Sequence, residues 1–317
     1  MRAMKSSAGG MPESPVRGQV FLVGCPRSGT TLLQTLLGSH SQIHSLPETH
    51  FFQNLLHAED GRRSGPDAVR RKRMTCEFQN WRRRTTVSLG WVSGRRGNKA
   101  WQSMPELTEV PPPDLRGLAA YRLHAHISRF GALLDRQCLM AGKQLWLEKT
   151  PDHLFYITHI QRYFPTARFI HILRDGEEVV ASLYHAAQRY EPWRPYLEID
   201  RGIDRWNRAL AESLSWRSHR QHLLVRYETL VADPQRTLTR ILRFLECPDE
   251  RGICAGYMRT AERLVRADEP WKRGNFDALA NRRKFQDLFD NEQQHRIVTS
   301  LDGLDWNVLA RLPQVLA

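Results

Sequence analysis

A glycine-bounded segment near the start of the chain has the composition of a phosphate-binding loop. The apolar residues 20–23 end at Gly24, Gly29 follows after four residues, and Thr30 and Thr31 open a leucine-rich run. A strand that turns through glycines into a helix directs backbone N–H groups and a helix N-terminus at one place, which suits a phosphate. The same glycines can instead serve only the packing of a strand–turn–helix unit.

The residue directly before Thr31 in this loop limits which ligands the loop can bind. Nucleotide-hydrolysing loops carry a lysine there, and that lysine reaches the β- and γ-phosphates. Thr30 occupies the position in this chain. The loop therefore lacks the group that handles a polyphosphate, and it predicts a nucleotide with one 5′-phosphate or a sulfated phosphate, bound without a metal ion.

Residues 26–32 read Pro-Arg-Ser-Gly-Thr-Thr-Leu, which resembles the 5′-phosphosulfate loop of sulfotransferases that use 3′-phosphoadenosine 5′-phosphosulfate (PAPS). This form of the loop is most similar to that of tyrosylprotein sulfotransferases and their bacterial relatives. The resemblance covers roughly residues 20–52 and 144–247. It implies that six loop residues bind the co-substrate: Pro26, Arg27, Ser28, Gly29, Thr30 and Thr31.

A second apolar strand, residues 168–173, ends at Arg174, and Ser182 follows eight residues later on a helical run. The planar guanidinium of arginine grips phosphate oxygens with two parallel bonds. The resemblance implies that Arg174 and Ser182 hold the 3′-phosphate of the nucleotide. Alternatively, Arg174 pairs with Asp175 or Glu178 and Ser182 lies on the helix surface.

Glu48 lies 22 residues after Pro26, where the resembled enzymes have a general base. Transfer of a sulfuryl group needs such a base, because the attacking hydroxyl must lose its proton. His50 is an alternative base, since its ordinary pKa suits chemistry near neutral pH. A surface or helix-capping role for Glu48 is the structural alternative.

Lys149 ends the short apolar strand before Pro151. A cation at this point can neutralise charge that develops on the departing phosphate. The resemblance implies this catalytic role for Lys149, together with Arg27. A surface ion pair of Lys149 with Glu148 or Asp152 is the alternative.

Two weaker matches complete the predicted nucleotide site. Tyr227 follows the strand at 222–226, where a tyrosine can donate its hydroxyl or stack on adenine. The segment Lys272, Arg273 and Gly274 is similar to the basic segment that closes over the 3′-phosphate in cytosolic members of the family. Core packing and an exposed basic turn are the respective alternatives.

The elements that position these residues alternate along the chain. Predicted strands lie near 20–23, 144–148, 168–173 and 222–226, and predicted helices near 31–38, 152–163, 176–189, 199–218 and 234–246. Such alternation predicts an α/β fold of the P-loop type, with a mostly parallel sheet and helices on both faces. We expect a disordered segment at 1–17 and one domain over 18–317, with a basic helical insertion on the acceptor side at about 53–115.

Composition excludes several classes of protein. No run of eighteen apolar residues indicates a membrane span, and residues 1–17 lack the apolar core of a secretory signal. The five cysteines show no metal-ligand spacing, which indicates reduced thiols and predicts a cytoplasmic location. Cys25, inside the loop, is interpreted as a small filler and not as a nucleophile.

The net charge of +13 is concentrated between residues 61 and 100. This segment contains twelve basic residues and only two acidic ones, Asp67 and Glu77, so its net charge is +10. Trp81, Trp91 and Trp101 lie in or beside this segment. A solvated basic cap and a surface for an acidic acceptor are both open interpretations. We do not expect nucleic acid as a partner, because no nucleic-acid fold motif accompanies the charge.

Together these motifs predict a PAPS-dependent sulfotransferase that needs no metal ion and acts on an acceptor hydroxyl. An acidic tyrosine-containing peptide is the first candidate acceptor, and a small molecule or carbohydrate is the alternative. A kinase-like phosphotransferase is a further alternative, and so is a degenerate P-loop module that binds polyanions. The oligomeric state and the C-terminal catalytic residues are not fixed by the sequence.

Overall fold

A computed structural model describes residues 16–56, 89–104, 107, 117–250, 252–254, 260, 264, 284–311 and 315–316. Its centre is a parallel sheet of six strands in the order β2-β3-β1-β4-β5-β6. The strands are β1 (Gly18–Gly24), β2 (Ile43–Leu46), β3 (Leu145–Lys149), β4 (Arg168–Leu173), β5 (His222–Arg226) and β6 (Val315–Leu316). The non-consecutive order follows from helical crossovers, which parallel strands require.

Strand β1 lies in the middle of the sheet because its side chains are apolar on both faces. Phe21 packs on one face, with its ring centroid 5.5 Å from that of Phe169. Leu22 points to the other face, where it shares a buried cluster with Ile170. This double burial fixes β1 between β3 and β4, so that the loop after Gly24 leaves from the centre of the sheet.

Twelve α-helices are described around the sheet. They are α1 (Thr30–Gly38), α2 (Phe51–Leu56), α3 (Gly94–Gln102), α4 (Leu123–Met140), α5 (Ile157–Tyr163), α6 (Gly176–Ala187), α7 (Ile199–Ser215), α8 (Tyr227–Ala232), α9 (Pro234–Phe244), α10 (Phe285–Leu288), α11 (Asn291–Ser300) and α12 (Trp306–Leu309). Buried apolar clusters lie on both faces of the sheet. The predicted α/β fold is therefore confirmed.

The predicted helix at 152–163 is wrong in its first half. Residues Pro151–Tyr156 form a 3₁₀ helix, and the α-helix begins only at Ile157. Tyr156, with φ −121° and ψ 8°, separates the two segments because these angles are not helical.

The parallel arrangement places the carboxyl ends of the strands at one edge of the sheet, where open α/β sheets bind ligands. The loop after β1, the segment after β2, Lys149 at the end of β3 and Arg174 after β4 meet there. The candidate residues in these four segments are thus brought to one edge by topology alone.

The structure describes part of the predicted basic insertion. Trp101 of α3 is buried, its ring centroid lies 5.5 Å from that of Phe51, and its indole N–H donates to His126. Trp91 stacks under the guanidinium of Arg122 at 4.2 Å. Trp101 therefore belongs to the core, whereas Trp91 is half-buried against Arg122. Residues 57–88, with most of the charge, lie outside the described residues.

In the described part of the chain, no helix is long and apolar enough to cross a membrane. Cys25, Cys138, Cys247 and Cys254 all have free thiols. Residues 1–15, for which disorder is predicted, lie outside the described residues, whereas the Arg17 N–H donates to the carbonyl of Gln144 at 2.7 Å.

Candidate active site

Both glycines of the loop are required by backbone geometry. Gly24 has φ +153°, and a Cβ there would lie 2.6 Å from the carbonyl oxygen of Ile172. Gly29 has φ +93°, and a Cβ there would lie 2.3 Å from the ring of Tyr227. The loop therefore fits closely between β4 and Tyr227, and a side chain at either position would displace it.

The loop leaves polar groups available to an anion. Gly29 precedes α1 without a side-chain hydrogen bond to the first turn, and that turn holds no acidic residue. N–H groups at a helix start without a cap suit a phosphate. The hydroxyl of Ser28 is buried and has no hydrogen-bond partner among the described residues. These features fit a bound phosphate or phosphosulfate.

Arg27 connects the loop to the predicted 3′-phosphate pair. Its Nε donates to the Ser182 hydroxyl at 3.1 Å, and its backbone carbonyl accepts from Arg174 at 3.4 Å. Burial and the nearby charge of Arg174 lower the pKa of Arg27 to about 10, which leaves it charged at neutral pH. The non-glycine φ of 72° at Arg27 belongs to this constrained turn.

Arg174 has protein partners on several sides. It pairs with Glu178 at 3.4 Å, and its guanidinium lies 4.6 Å from the ring centroid of Tyr227. The predicted alternative of a pair with Glu178 is therefore present. Ser182, however, is only 5% exposed, so the alternative of a surface serine is wrong. Burial raises the pKa of the Tyr227 phenol, although Arg174 opposes this shift.

Glu48 and Lys149 form an ion pair at the floor of the site. Lys149 is 1% exposed, and its Nζ also lies 3.5 Å from the Thr31 hydroxyl. The second carboxylate oxygen of Glu48 lies 3.5 Å from Nε2 of His50. The two candidate bases are thus adjacent, and the lysine links one of them to the loop.

The alternative of a surface pair for Lys149 is wrong. Glu148 is 0% exposed and bonds Thr49, Thr150 and His153. Asp152 pairs with Arg205 instead. The strand alternation of β3 explains this result, because neighbouring side chains point to opposite sides of a strand.

A cleft of about 190 Å³ opens beside Glu48. Six of the residues named from the sequence line it: Pro26, Arg27, Thr30, Thr31, Glu48 and His50. The other lining residues, which sequence reasoning did not assign to the site, are Gln53, Thr150, Pro151, Asp152 and Trp193. Trp193 lies 5.9 Å from the guanidinium of Arg27. It belongs to a 3₁₀ helix far along the chain, and no local motif marks it as a site residue.

Cys25 is buried within the loop, and burial raises the pKa of its thiol to about 12. A thiol with this pKa stays protonated at neutral pH and is a poor nucleophile. The interpretation of Cys25 as a filler agrees with these properties. Lys272, Arg273 and Gly274 lie outside the described residues.

Comparison with known proteins gives the class to which this fold and site belong. A family model described as "Sulfotransferase family" matches residues 19–251, and the chain belongs to this family. The sulfotransferase domain of the Synechococcus PCC 7002 olefin synthase has the same fold, with a TM-score of 0.54 and 18% identity over 93% of this chain and 99% of that domain.

Among curated proteins, Protein-tyrosine sulfotransferase 1 of Danio rerio is 25% identical over 234 residues, which are 72% of this chain and 53% of that protein. The Protein-tyrosine sulfotransferase of Drosophila melanogaster is 22% identical over 232 residues, which are 72% of this chain and 38% of that protein. The chain therefore spans about half or less of the length of these two relatives.

Proposed function

We propose that this chain transfers a sulfuryl group from PAPS to an acceptor hydroxyl. The observation that carries the proposal is the contact of Arg27 with Ser182 at 3.1 Å. This contact joins a glycine loop without the P-loop lysine to an arginine–serine pair suited to a second phosphate. PAPS carries an anionic group at each end of its ribose, and membership in the sulfotransferase family supports this ligand.

Each end of the nucleotide has a candidate set of residues. The loop N–H groups, with Ser28, Thr30 and Thr31, hold the 5′-phosphosulfate in this proposal, and Pro26 shapes the turn. Arg174 and Ser182 hold the 3′-phosphate. The orphan hydroxyl of Ser28 and the short Arg174–Tyr227 distance of 4.6 Å support this assignment, with Tyr227 as a wall of the nucleotide site.

The reaction uses the other residues at the edge of the sheet. The acceptor oxygen attacks sulfur and forms the new S–O bond, its proton passes to Glu48, and the bond from sulfur to the 5′-phosphate oxygen breaks. Lys149 and Arg27 neutralise the charge that collects on that phosphate. The position of Lys149 between Glu48 and Thr31 supports a role at both reacting ends.

For the acceptor we propose a tyrosine in an acidic peptide. The names of the curated relatives support tyrosine, and the net charge of +10 over residues 61–100 supports an acidic surrounding sequence. A positive segment raises the encounter rate of a negative peptide without fixing its chemistry. A small phenol or a carbohydrate remains the alternative.

Thermal melting with a panel of nucleotides tests the donor. Adenosine 3′,5′-bisphosphate should raise the melting temperature in the presence of EDTA, and ATP with Mg²⁺ should raise it much less. Arg174→Ala should weaken binding of the bisphosphate by roughly 2–4 kcal/mol, the range for loss of a buried charged partner, and should reduce the preference for a 3′-phosphate over a 3′-hydroxyl. Replacement of the exposed Arg240 by alanine is the control. Larger stabilisation by ATP with Mg²⁺ would contradict the proposal.

A further inference from the structure

Glu148 is a fully buried carboxylate that the proposed reaction does not use. Its Oε1 accepts from the Thr49 hydroxyl at 2.8 Å and the Thr150 hydroxyl at 2.6 Å, and its Oε2 accepts from Nδ1 of His153 at 2.8 Å. A buried carboxylate without such donors is strongly destabilising. The full set of donors indicates a carboxylate that is held ionised within the fold.

The same carboxylate anchors the segment that carries Glu48 and His50. The Thr49 N–H donates directly to Glu148 at 3.3 Å. The His50 N–H donates to the Thr150 hydroxyl at 3.2 Å, and that hydroxyl donates to Glu148. His50 has a left-handed φ of 50°, which a non-glycine residue keeps only where surrounding bonds impose it.

The N–H groups of Phe51 and Phe52, the first two residues of α2, are bound by partners of Glu148. The Phe51 N–H donates to the Thr49 hydroxyl at 3.2 Å, and the Phe52 N–H donates to Nε2 of His153 at 3.2 Å. N–H groups at a helix start have no partner within the helix and need one elsewhere. Four consecutive N–H groups, at residues 49–52, are therefore satisfied by Glu148 or by its direct partners.

This network also fixes the tautomer of His153. Because Nε2 accepts from Phe52, the proton of the neutral imidazole lies on Nδ1, which faces Glu148. Burial alone would raise the pKa of Glu148, but His153, Thr150 and Thr49 outweigh it and lower the pKa overall.

We propose that Glu148 is a positioning residue that joins strand β3, which carries Lys149, to the segment that carries Glu48 and His50. The inference rests on the proposed function, in which Glu48 is the general base. Glu148 touches no reacting atom. It fixes the position of Glu48 relative to Lys149, and a small displacement of two such groups lowers the reaction rate strongly.

The substitution Glu148→Gln is a minimal change, but neither orientation of the new side-chain amide satisfies all the hydrogen bonds of the network. With the new amide nitrogen toward His153, two donors face each other, and a switch of the imidazole tautomer only moves the conflict to the Phe52 N–H. With the nitrogen toward Thr49 and Thr150, it faces the Thr49 N–H, which can only donate, although both hydroxyls can turn to accept. We therefore expect a fall in kcat of about 10- to 100-fold, with bisphosphate affinity within about twofold of the native protein.

A matched pair at Thr150 keeps the test informative even if Glu148→Gln fails to fold. Thr150→Val removes the hydroxyl that links His50 to Glu148, and Thr150→Ser keeps it. Asp135→Asn is the control, because Asp135 of α4 is a half-buried carboxylate that accepts from Trp146 of β3 away from the cleft. Two quantities are measured. The first is turnover of PAPS with an acidic tyrosine peptide or with 2-naphthol, whichever the native protein sulfates faster. The second is the hydrogen-exchange rate of the His50 amide.

Lower kcat and faster His50 exchange in Thr150→Val, both restored in Thr150→Ser and unchanged in Asp135→Asn, would support the positioning role. Native kcat in both Glu148→Gln and Thr150→Val would overturn it while leaving the proposed function intact. If the native protein sulfates neither acceptor, that result contradicts the proposed function. The exchange rate of the His50 amide still tests the positioning network, and an unchanged rate in Thr150→Val would overturn it.

Discussion

Lys149 is the residue at which the predicted base and the predicted phosphate loop contact each other. Its buried ammonium pairs with Glu48 and lies 3.5 Å from the Thr31 hydroxyl. A buried cation needs a partner, and in this structure the charged partner is Glu48, the proposed base. A phosphosulfate in the loop would place Lys149 between two anions, which suits a cation that serves both the base and the departing phosphate.

The substitution Glu48→Gln tests whether Glu48 is the general base. The amide keeps the size of the side chain and an oxygen for Lys149, but it cannot take the acceptor proton. We expect kcat to fall about 10²- to 10⁴-fold, the usual contribution of a positioned base, with nucleotide affinity close to native. Steady-state kinetics and calorimetry measure the two quantities. His50→Ala is the comparison, and an equal loss of kcat there with Glu48 intact would assign the base to His50.

At the scale of elements, sequence reasoning succeeded where the apolar pattern was continuous. Strands β1 and β4 are buried runs that end in chemically distinctive residues, so both the strands and Arg174 were predicted. Strand β2 has only four residues, with His44 and Ser45 in its middle, and was missed. Helix α4 was also missed, although Leu123, Ile127, Phe130, Leu134 and Cys138 follow a helical period and are all buried.

The site shows the same division between local and distant information. Loop and strand-end residues could be proposed from the sequence because their neighbours along the chain form recognisable motifs. The role of Glu148 was missed because its partner Thr49 lies 99 residues away. Trp193 was missed for a related reason, since only the packing of the 3₁₀ helix Glu191–Leu197 brings it to Arg27.

A histidine pair between β4 and β5 predicts how stability depends on pH. His171 and His222 are buried and bond each other at 2.9 Å. Burial lowers the pKa of His222 to about 3 and that of His171 well below its usual value, so both are neutral in the folded protein. The unfolded chain binds protons below about pH 6.5, so the free energy of unfolding should decrease from there toward about pH 3.

Urea unfolding between pH 7.5 and 5 measures this dependence. Each buried histidine contributes a slope of up to about 1.4 kcal/mol per pH unit. His222→Gln should be less stable at pH 7.5 and should show a shallower slope, because one titrating group is gone. His295→Gln, at an exposed position, is the control and should keep the native slope. An unchanged slope in His222→Gln would contradict the assignment.

For the molecule as a whole, charge is distributed unevenly along the chain. Residues 61–100 supply +10 of the net +13. Interactions of exposed charges act mainly on encounter and weaken with salt. If this segment attracts the acceptor, an acidic tyrosine peptide should be sulfated with a kcat/KM that decreases as ionic strength rises.

Charge reversal of Arg82, Arg83 and Arg84 should reduce that salt dependence and leave nucleotide binding unchanged. The matched control reverses three exposed arginines elsewhere, Arg217, Arg220 and Arg240. A neutral phenol that reacts faster than any acidic peptide, without salt dependence, would identify the basic segment as a solvated cap and the chain as a small-molecule or carbohydrate sulfotransferase.

Transfer of the sulfuryl group from PAPS to an acceptor can be measured by a mass-balance assay. The chain is incubated with PAPS, EDTA and a panel of acidic tyrosine peptides, phenols and sugars, and adenosine 3′,5′-bisphosphate and sulfated acceptor are both quantified. We expect the two products to form in equal amounts, and neither to form when the acceptor is left out. Unconsumed PAPS across the panel, together with turnover of ATP on addition of Mg²⁺, would contradict it.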